Sequence, residues 1–512
     1  MLRRGQYKAV LGIYSSKPTL PVKEQEPLLD SLYHLGQLQK LEEYMGQGVE
    51  ESPLLAYYNA KVLLVYGKFQ QAVDQLVTSG KNTQEECKSE HSILDVRRAI
   101  ALSEAYCSLG QYEEALELAK DQVKSAKRMN DPFLEGLSRY QLVRVYVEVG
   151  EFNRSKTHVQ KFNECIKPYK NPYYLAKLSW INSLVDGMTL GSYGKAQKCL
   201  EQALGHFRDL GNRHEEICVL TSLADLKTYQ GYLGEALGLY EQATQAFIEL
   251  ANDYWFSATL GKKAMVEYYL GNFDKARKLV LNVLNNPDLT KNDRMLTSLL
   301  YILGRIYADQ EQLRGHMSYF EQFFGKERQK SPLVTSVRNL IIALAEKEVF
   351  NLDNARIKLR ACLETETTEN NIKIYCHELV TEIALVKWLV TGSKRFYTDL
   401  LNNLQRWETF STYSNLNPDL CKVFLVKAKV AEVSLNYVEA KELLEKCQGL
   451  ARENDLPLHE RLAEREIRRV DDRLERMEKP ASSPSADSVS MNEFKDYIQG
   501  LNRMLHGVSG EE

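Results

Sequence analysis

The sequence is poor in the residues that interrupt helices. It has only 13 prolines and 28 glycines among 512 residues, and both residue types disfavour the interior of a helix. Long apolar runs are missing too, because no stretch approaches the roughly 18 apolar residues that a membrane span requires. No apolar run follows the basic residues at the start, so a secretory signal is not expected. These absences predict a helical, cytoplasmic protein that does not enter a membrane.

An excess of charge of either sign is also missing. Lys and Arg together number 66 and Asp and Glu number 69, which gives a net charge of −3. A protein that grips nucleic acid needs a basic excess to neutralise phosphates, so we expect no nucleic-acid partner. Apolar residues make up 44% of the chain, which is enough for a continuous core.

The cysteines lack the spacing of a disulfide framework or a zinc site. There are nine, an odd number, and no two form a C-x-x-C pair. They are Cys87, Cys107, Cys165, Cys199, Cys218, Cys362, Cys376, Cys421 and Cys447. Scattered single cysteines of this kind predict reduced and mostly buried thiols.

Catalytic, cofactor and metal motifs are absent as well. The sequence contains no phosphate-binding G-x-x-x-x-G-K-[ST] loop, no G-x-G-x-x-G after a strand and no H-E-x-x-H. Cys376 and His377 are adjacent, but neighbouring residues of a helix point about 100° apart and do not face each other. We interpret His316 as a packing substitution, and His214 as a solvated residue in a loop or at a helix start. The sequence therefore predicts no catalytic residue, no cofactor and no metal site.

What the chain does contain is a repeated phrase: a glycine, a polar residue, an aromatic or leucine, two more residues, and an alanine. It reads Gly-Lys-Phe-Gln-Gln-Ala at 67–72 and Gly-Asn-Phe-Asp-Lys-Ala at 271–276. The last residues of six copies are Ala72, Ala115, Ser155, Ala196, Ala236 and Ala276, about 40 residues apart, and weaker copies follow at His316, Ala355, Tyr397 and Ala440. Such a regular spacing indicates an array of structural repeats.

Each part of the phrase has a physical reason. The glycine ends one helix in a left-handed backbone conformation at low cost. The aromatic or leucine packs between that helix and the next, and the alanine lets the two helices approach closely. Amphipathic segments lie on both sides of the phrase. The repeat is therefore predicted to be a helical hairpin.

The links between hairpins carry their own signal. A capping residue precedes a proline at 52–53, 131–132, 171–172, 331–332 and 417–418. Ser, Asp and Asn accept hydrogen bonds from the first turn of a helix, and proline is tolerated there. We predict that a helix begins at each of these points.

The repeats resemble the tetratricopeptide family, whose pattern is W-x2-L-G-x2-Y followed by A-x3-F. Residues 303–307, Leu-Gly-Arg-Ile-Tyr, match its core, Trp180 lies at the tryptophan position, and Ala236 with Tyr240 matches the alanine and aromatic. The period of about 40 exceeds the family's 34. Longer units of this kind are similar to the sensor arrays of MalT-like activators and to the arrays of polarity adaptors.

The resemblance implies an all-α, right-handed α-solenoid of helix-turn-helix repeats that binds other proteins along a concave groove. An adaptor or scaffold is the leading hypothesis. The alternative is a ligand-sensing regulatory module of a MalT-like signalling ATPase or transcription regulator. No nucleotide loop precedes the array and no helix-turn-helix follows it, which favours the adaptor.

Composition divides the chain into five segments. We predict degenerate helical repeats over 1–49, a superhelix of about ten repeats over 50–457, and a capping helix over 458–478. Residues 479–491 are rich in Pro, Ser and Ala and indicate a flexible linker. The chain opens on Gly-Gln-Tyr-Lys-Ala at 5–9, the turn and second helix of a repeat, so its first repeat is either degenerate or cut from a longer parent.

The last segment, 492–506, is predicted to be a short amphipathic helix. Its apolar stripe consists of Phe494, Tyr497, Ile498, Leu501 and Leu505. A helix this short needs a surface to fold against. Intramolecular docking on the last repeats, a partner-binding or autoinhibitory role, and a frayed tail all remain open.

Projection of the repeat spacing places one set of residues on the inner wall formed by the first helices. These are Tyr140, Arg144, Asn182, Asp225, Lys262, Tyr268, Tyr301 and Arg305. Such a mixture of aromatic, charged and amide groups suits an extended or helical peptide. Family members that grip a C-terminal carboxylate use a Lys and Asn pattern of which only Asn182 is present here, so a carboxylate clamp is not predicted.

Overall fold

The computed structural model describes residues 1–14, 20–46, 52–86, 92–149, 152–190, 193–286, 290, 293–325, 331–365, 370–413 and 416–478. Every regular element among them is a helix, and the helices follow one another as hairpins. The all-α solenoid fold is therefore confirmed. We call the two members of a hairpin its first and second helix.

Two helical segments precede the regular array. A 3-10 turn over Leu2–Arg4 leads into helix Tyr7–Tyr14, and Val22–His34 forms a hairpin with Leu38–Gly46. Helix Pro457–Glu478 follows the array. The predicted tail helix with Phe494, Tyr497, Ile498, Leu501 and Leu505 lies outside the described residues, as does the linker before it.

The hairpins of the array follow in order, each given as first and second helix. They are Pro53–Val65 with Phe69–Glu86, Ile93–Ser108 with Tyr112–Arg128, Pro132–Val149 with Phe152–Ile166, Pro172–Leu190 with Tyr193–Leu210, Arg213–Gln230 with Leu233–Glu249, Asp253–Tyr269 with Phe273–Leu284, Asp293–Asp309 with Met317–Glu321, Pro332–Glu348 with Leu352–Glu364, Asn370–Thr391 with Lys394–Tyr413, and Asn417–Val433 with Tyr437–Glu453. Short 3-10 turns also occur at Lys167–Tyr169 and Arg314–His316.

The repeated phrase has the structure that its residues predict. Gly67, Gly110, Gly231 and Gly271 have φ values of 72°, 80°, 86° and 78°, the left-handed conformation that glycine adopts at low cost. The alanines of the phrase are 0–1% exposed. A larger side chain at these alanines would separate the two helices of the hairpin, so their small size sets the packing distance.

The weak copy at His316 departs from the pattern. In place of a long second helix the chain forms the 3-10 turn Arg314–His316 and the short helix Met317–Glu321. The His316 ring stacks on Tyr307 with 4.0 Å between ring centroids. An imidazole is too large for the close approach that alanine allows elsewhere, and the shorter second helix accompanies this substitution.

A helix begins at each of the five predicted links, and three of the five capping residues bond to that helix as predicted. Ser52, Asp131 and Asn171 each accept a hydrogen bond from a backbone amide of the helix that follows. Ser331 is an N-cap residue without a side-chain cap bond. Asn417 is wrong as a capping residue, because it is the first residue inside its helix and Leu416 holds the N-cap position.

The chain divides into two compact units. Unit 1 consists of residues 1–189, 195–223 and 239–259, and unit 2 of residues 190–194, 224–238 and 260–512. Each has its own buried aliphatic and aromatic side chains; Phe162 and Phe247 are fully buried in unit 1, and Tyr268 and Trp407 are buried in unit 2.

Unit 1 contains contacts between residues far apart in the sequence. Asn171 donates to the backbone oxygen of Leu2, Asn212 donates to that of His34, and Asn252 donates to that of Val65. Each of these asparagines also accepts from an amide of the helix that follows it. One asparagine side chain therefore caps its own helix and, at the same time, ties it to the turn of a distant hairpin.

The turns that receive these asparagines contain glycine. Gly5, Gly36 and Gly67 all have positive φ, and an added Cβ would lie 2.9 Å from Asn171 Oδ1, 2.8 Å from Asn212 Oδ1 and 2.3 Å from Tyr254 Cγ, respectively. Unit 2 has a related contact at Gly231, where the added Cβ would lie 3.1 Å from Leu458 Cβ. Turns of this kind therefore act as contact points for other parts of the chain.

Candidate binding surface on the first helices

First helices of consecutive hairpins contact one another. Ile93–Ser108 contacts Pro132–Val149, for example, and Asp293–Asp309 contacts Pro332–Glu348. Polar side chains join these neighbours at intervals that follow the repeat. We call the polar surface formed by first helices the first-helix wall, and describe it separately in each unit.

In unit 1 the wall is built on ion pairs between consecutive first helices. Lys61 Nζ lies 2.9 Å from Glu104 Oε2, and Arg144 Nη1 lies 2.6 Å from Glu104 Oε1. One carboxylate thus bridges two cations on the helices before and after it. Burial alone would raise the pKa of Glu104, but Lys61 and Arg144 outweigh burial and hold it well below its usual value.

A second ion pair continues this wall. Lys177 Nζ lies 2.6 Å from Glu215 Oε2, and both side chains are 12% exposed. Tyr173 donates to the other oxygen of Glu215 at 2.8 Å. The Lys177 ammonium also lies 4.9 Å from the centre of the Trp180 ring, and Trp180 Nε1 donates to Ser222 Oγ at 2.9 Å. Charged, aromatic and hydroxyl groups therefore occur side by side.

His214 is not solvated as the sequence suggested. It lies at the start of helix Arg213–Gln230, with its ring centroid 6.2 Å from that of Phe247 and 6.3 Å from that of Trp255. Burial lowers its pKa to about 4. His214 is therefore a neutral packing residue near pH 7.

In unit 2 the wall begins with the pair formed by Asp225 and Lys262, whose charged atoms are 2.5 Å apart. Their side chains are 32% and 41% exposed, which is more than in the pairs of unit 1 and leaves both charges open to solvent. Two further pairs follow, Lys347 with Glu382 at 2.7 Å and Lys422 with Glu378 at 2.8 Å. Pairs of opposite charge therefore recur along the wall.

Arg305 is at the centre of an aromatic cluster in the same unit. Its guanidinium lies 4.2 Å from the centre of the Tyr375 ring and 4.7 Å from that of Tyr268. It donates to the hydroxyl of Tyr301 at 2.8 Å. Tyr268 in turn donates to Asp309 Oδ2 at 2.5 Å, and burial raises the pKa of this carboxyl although Arg305 opposes the shift. Cation–π contacts of this kind are strongest where water is excluded.

The structure thus groups most of the predicted residues by unit. Asp225 and Lys262 form one pair, and Tyr268, Tyr301 and Arg305 form one cluster. The three residues of the cluster are 1–3% exposed. In this conformation they offer almost no surface to a partner and instead support the wall. Among the eight, the exposed polar atoms of unit 2 belong chiefly to Asp225 and Lys262.

The other three residues lie in unit 1. Arg144 is paired with Glu104, and its side chain is 31% exposed. The Tyr140 ring packs at 5.4 Å from that of Phe162, while Asn182 is half-buried on helix Pro172–Leu190. Their contact with a partner stays a prediction.

Sequence reasoning missed several partners of these residues. They are Lys61, Glu104, Lys177, Glu215, Asp309, Tyr375, Glu378, Glu382, Lys347 and Lys422. A signal for most of them was present, because opposite charges recur about one repeat apart on the first helices, as at Lys61 and Glu104. A search for such pairs in the repeat register would have found them.

Comparisons with known proteins support the fold. A solved structure of a Rap protein complexed with Competence and Sporulation Factor has a TM-score of 0.50 and 15% identity, covering 69% of this chain and 98% of that one. The chain has the tetratricopeptide-like helical repeat fold. No family model matches the sequence of this tetratricopeptide-like array, and no curated protein does.

Two more distant structures are similar to this tetratricopeptide-like array. The apo form of the quorum sensor NprR from B. thuringiensis has a TM-score of 0.41 and 13% identity, covering 76% of this chain and 98% of that one. A human IFIT1 dimer with PPP-AAAA has a TM-score of 0.43 and 14% identity, covering 88% of this chain and 95% of that one.

Two further observations concern the described part of the chain. Within it, no group of three or more His, Cys, Asp and Glu side chains is placed to hold a metal ion. No helix described by the structure has both the length and the apolar character that a membrane crossing requires.

Proposed function

We propose that this chain is an adaptor that binds segments of other proteins along its first-helix walls, in the cytoplasm. The observation that carries the proposal is the row of ion pairs between consecutive first helices. A row of opposite charges can bind a polypeptide that carries both signs of charge, and a pattern of charges gives specificity as well as affinity.

The burial of these pairs supports a role beyond stability. Lys177 and Glu215 are 12% exposed, and removing two charges from water costs several kcal/mol per ion unless their geometry compensates. Apolar side chains of similar size would stabilise such an interface at least as well. Charges kept at a surface between repeats therefore point to recognition of a charged partner.

The partner class follows from the same features. Aromatic rings lie next to the charges, and Trp, Tyr and Arg are the residues that most often anchor protein interfaces. The wall has nearly as many anions as cations, and a phosphate backbone would require a clear excess of cations. We therefore expect a polypeptide partner, and no nucleic acid.

A charge swap in unit 2 tests the proposal. Asp225→Lys with Lys262→Asp keeps an ion pair at the same place and reverses the charges that a partner meets, while Lys262→Asp alone removes the pair. We expect both variants to lose at least about 2 kcal/mol of binding energy, a thirtyfold weaker affinity. Partners captured with the unmodified chain would be measured against each variant, with nuclease added to remove nucleic acid.

A matched pair provides the control. Lys441 on a second helix lies 2.7 Å from Asp471, and their side chains are 36% and 40% exposed, close to the values for Lys262 and Asp225. The swap Lys441→Asp with Asp471→Lys should leave binding unchanged. Equal binding by all the variants would show that partners do not use this part of the wall.

The second candidate is the ligand-sensing module. One observation favours it: the Rap structure of the same fold was solved with Competence and Sporulation Factor, so an array of this kind can hold a ligand. If the unmodified chain captures no protein, and nuclease treatment changes nothing, this candidate replaces the adaptor.

A further inference from the structure

Five apolar side chains of unit 2 are exposed where the first helix turns into the second in the hairpins between Pro332 and Glu453. They are Val349 at 43%, Phe350 at 76%, Val390 at 71%, Leu435 at 67% and Val438 at 63%. All belong to the turns from first to second helix or to the residues beside those turns. We call this set the turn row.

The members of the turn row lie on one edge of consecutive hairpins. Lys387 forms an ion pair with Asp353, which places the end of helix Asn370–Thr391 beside the turn that contains Phe350. Lys422 pairs with Glu378 at 2.8 Å, which aligns helix Asn417–Val433 with Asn370–Thr391. Both first helices then run to the same edge, where Val390 and Leu435 lie.

Two residues of the row occupy a costly backbone conformation. Phe350 and Leu435 both have a φ of 59°, at the turn position where Gly67, Gly110 and Gly271 stand in other repeats. A side chain with a Cβ is strained in the left-handed region, and exposure of a large apolar group adds a second cost. Glu311 takes the same backbone conformation without an apolar side chain, so the feature that the folded array alone does not explain is the exposure of apolar groups at these two turns.

Turns of the same kind are contact points elsewhere. The turn at Gly36 receives Asn212 in unit 1, and the turn at Gly231 receives Leu458 in unit 2. Tyr232 beside Gly231 also donates to Asp455 at 2.7 Å. The turn row therefore lies where other turns of this chain make contacts, and its side chains are apolar like those of a buried surface.

The last described helix of the chain ends at this edge. Helix Pro457–Glu478 runs antiparallel to Tyr437–Glu453, since Lys441 pairs with Asp471 at 2.7 Å. Arg473 lies 3.7 Å from Glu432, three residues before Leu435. Five more residues extend the helix by about 7 Å, so it ends beside the turn of Leu435.

The segment that follows has a suitable length. Fifteen residues separate Glu478 from Phe494, and the root-mean-square end-to-end distance of a random-coil chain of fifteen residues is about 20 Å. Contacting helices lie about 8–10 Å apart, so two repeats correspond to about the same distance. A segment that begins at Phe494 therefore reaches Val390 and Phe350.

We propose that the segment 492–506 of this chain docks on the turn row, with Phe494, Tyr497, Ile498, Leu501 and Leu505 facing its apolar side chains. Docking covers both the stripe of the tail and the exposed residues of the row, and gives the short tail the surface that a helix of its length requires. The proposal is independent of the first-helix walls, so the charge-swap experiment and this one can fail separately.

Hydrogen exchange of the full chain tests the docking. Phe350→Gly with Leu435→Gly removes two row side chains and relieves the strain at both turns, so the thermal midpoint should not fall. Amides of 494–505 should exchange at least about tenfold faster in this variant than in the unmodified chain. Glu311→Gly is the matched control, because Glu311 has a φ of 55° at the same turn position and carries no apolar group.

The reverse perturbation completes the test. Ile498→Glu with Leu501→Glu in the tail should speed exchange at amides 349–352 and 434–438 while the rest of unit 2 is unchanged. Equal tail exchange in the unmodified chain and in the Phe350→Gly, Leu435→Gly variant overturns the proposal. Protection of the tail amides from exchange that grows with protein concentration also overturns it, because the occupant would then be a second copy of the chain.

Discussion

Substitution of Gly36 by alanine tests the role of the asparagine contacts in unit 1. Gly36 has a φ of +68°, and the new Cβ would lie 2.8 Å from Asn212 Oδ1 and 3.2 Å from Asn212 Cα. Asn212 cannot easily move aside, because Nδ2 donates to the oxygen of His34 at 3.0 Å and Oδ1 accepts from the amide of Glu215 at 3.1 Å.

The expected cost has two parts. A left-handed backbone conformation costs alanine about 1 kcal/mol more than glycine. Displacing Asn212 loses a helix cap and a buried hydrogen bond, each worth about 1 kcal/mol. We therefore expect Gly36→Ala to lower the free energy of unfolding of unit 1 by about 3 kcal/mol.

Gly110→Ala separates the two parts. Gly110 has a φ of +80°, and no atom lies within 4 Å of an added Cβ, so only the backbone cost of about 1 kcal/mol applies. Asn212→Ala alone should cost about 2 kcal/mol, and the double variant Gly36→Ala with Asn212→Ala about 3 kcal/mol. The two substitutions are then non-additive by about 2 kcal/mol, because they remove the same contact.

Urea unfolding followed by circular dichroism, with exchange of unit 1 amides as a local probe, measures these values. The reasoning is refuted if Gly36→Ala and Gly110→Ala cost the same within about 0.5 kcal/mol, or if the effects of Gly36→Ala and Asn212→Ala simply add.

Two more predictions concern unit 2. Asp419 is buried and accepts from Trp407 at 2.9 Å, and burial raises its pKa to about 7 despite the opposing charge of Lys422. The folded chain thus holds a proton that the unfolded chain releases near pH 4, so Asp419 should make the free energy of unfolding fall as pH rises from about 4 to 7. Asp419→Asn should remove this contribution to the pH dependence, which urea unfolding at several pH values measures. An unchanged pH dependence would contradict the prediction. Arg305→Lys keeps the charge and loses the planar contact with Tyr375, and should lower the unfolding free energy of unit 2 by about 1–2 kcal/mol, whereas an unchanged urea midpoint would show that the planar contact contributes little.

Local sequence signals predicted the helical hairpins well. The glycine of the repeated phrase takes the left-handed conformation, and its alanine is buried, as at Gly67 and Ala72. Both features depend on residues close in sequence. The helix start at 417–418 was predicted too, but Asn417 lies inside the helix and Leu416 holds the N-cap position, because a proline in the first turn does not fix which residue is the N-cap.

The candidate surface was predicted less completely. The repeat register brought Asp225 and Lys262 into one set, and the structure pairs them. The register says which helix a residue belongs to, but it does not say how deeply the residue is buried. Tyr301 and Arg305 were placed on an open wall and are instead 3% and 2% exposed.

The sequence by itself determined the repeat, its period and the hairpin within each repeat, because these follow from backbone preference and side-chain size over a few residues. Tertiary structure alone decided which distant turns meet and how deeply each residue of the walls is buried. Gly36 and Asn212 are in contact although 175 residues separate them, and no local preference encodes that distance. The stacking angle between hairpins accumulates over several repeats, so only the folded chain brings such residues together.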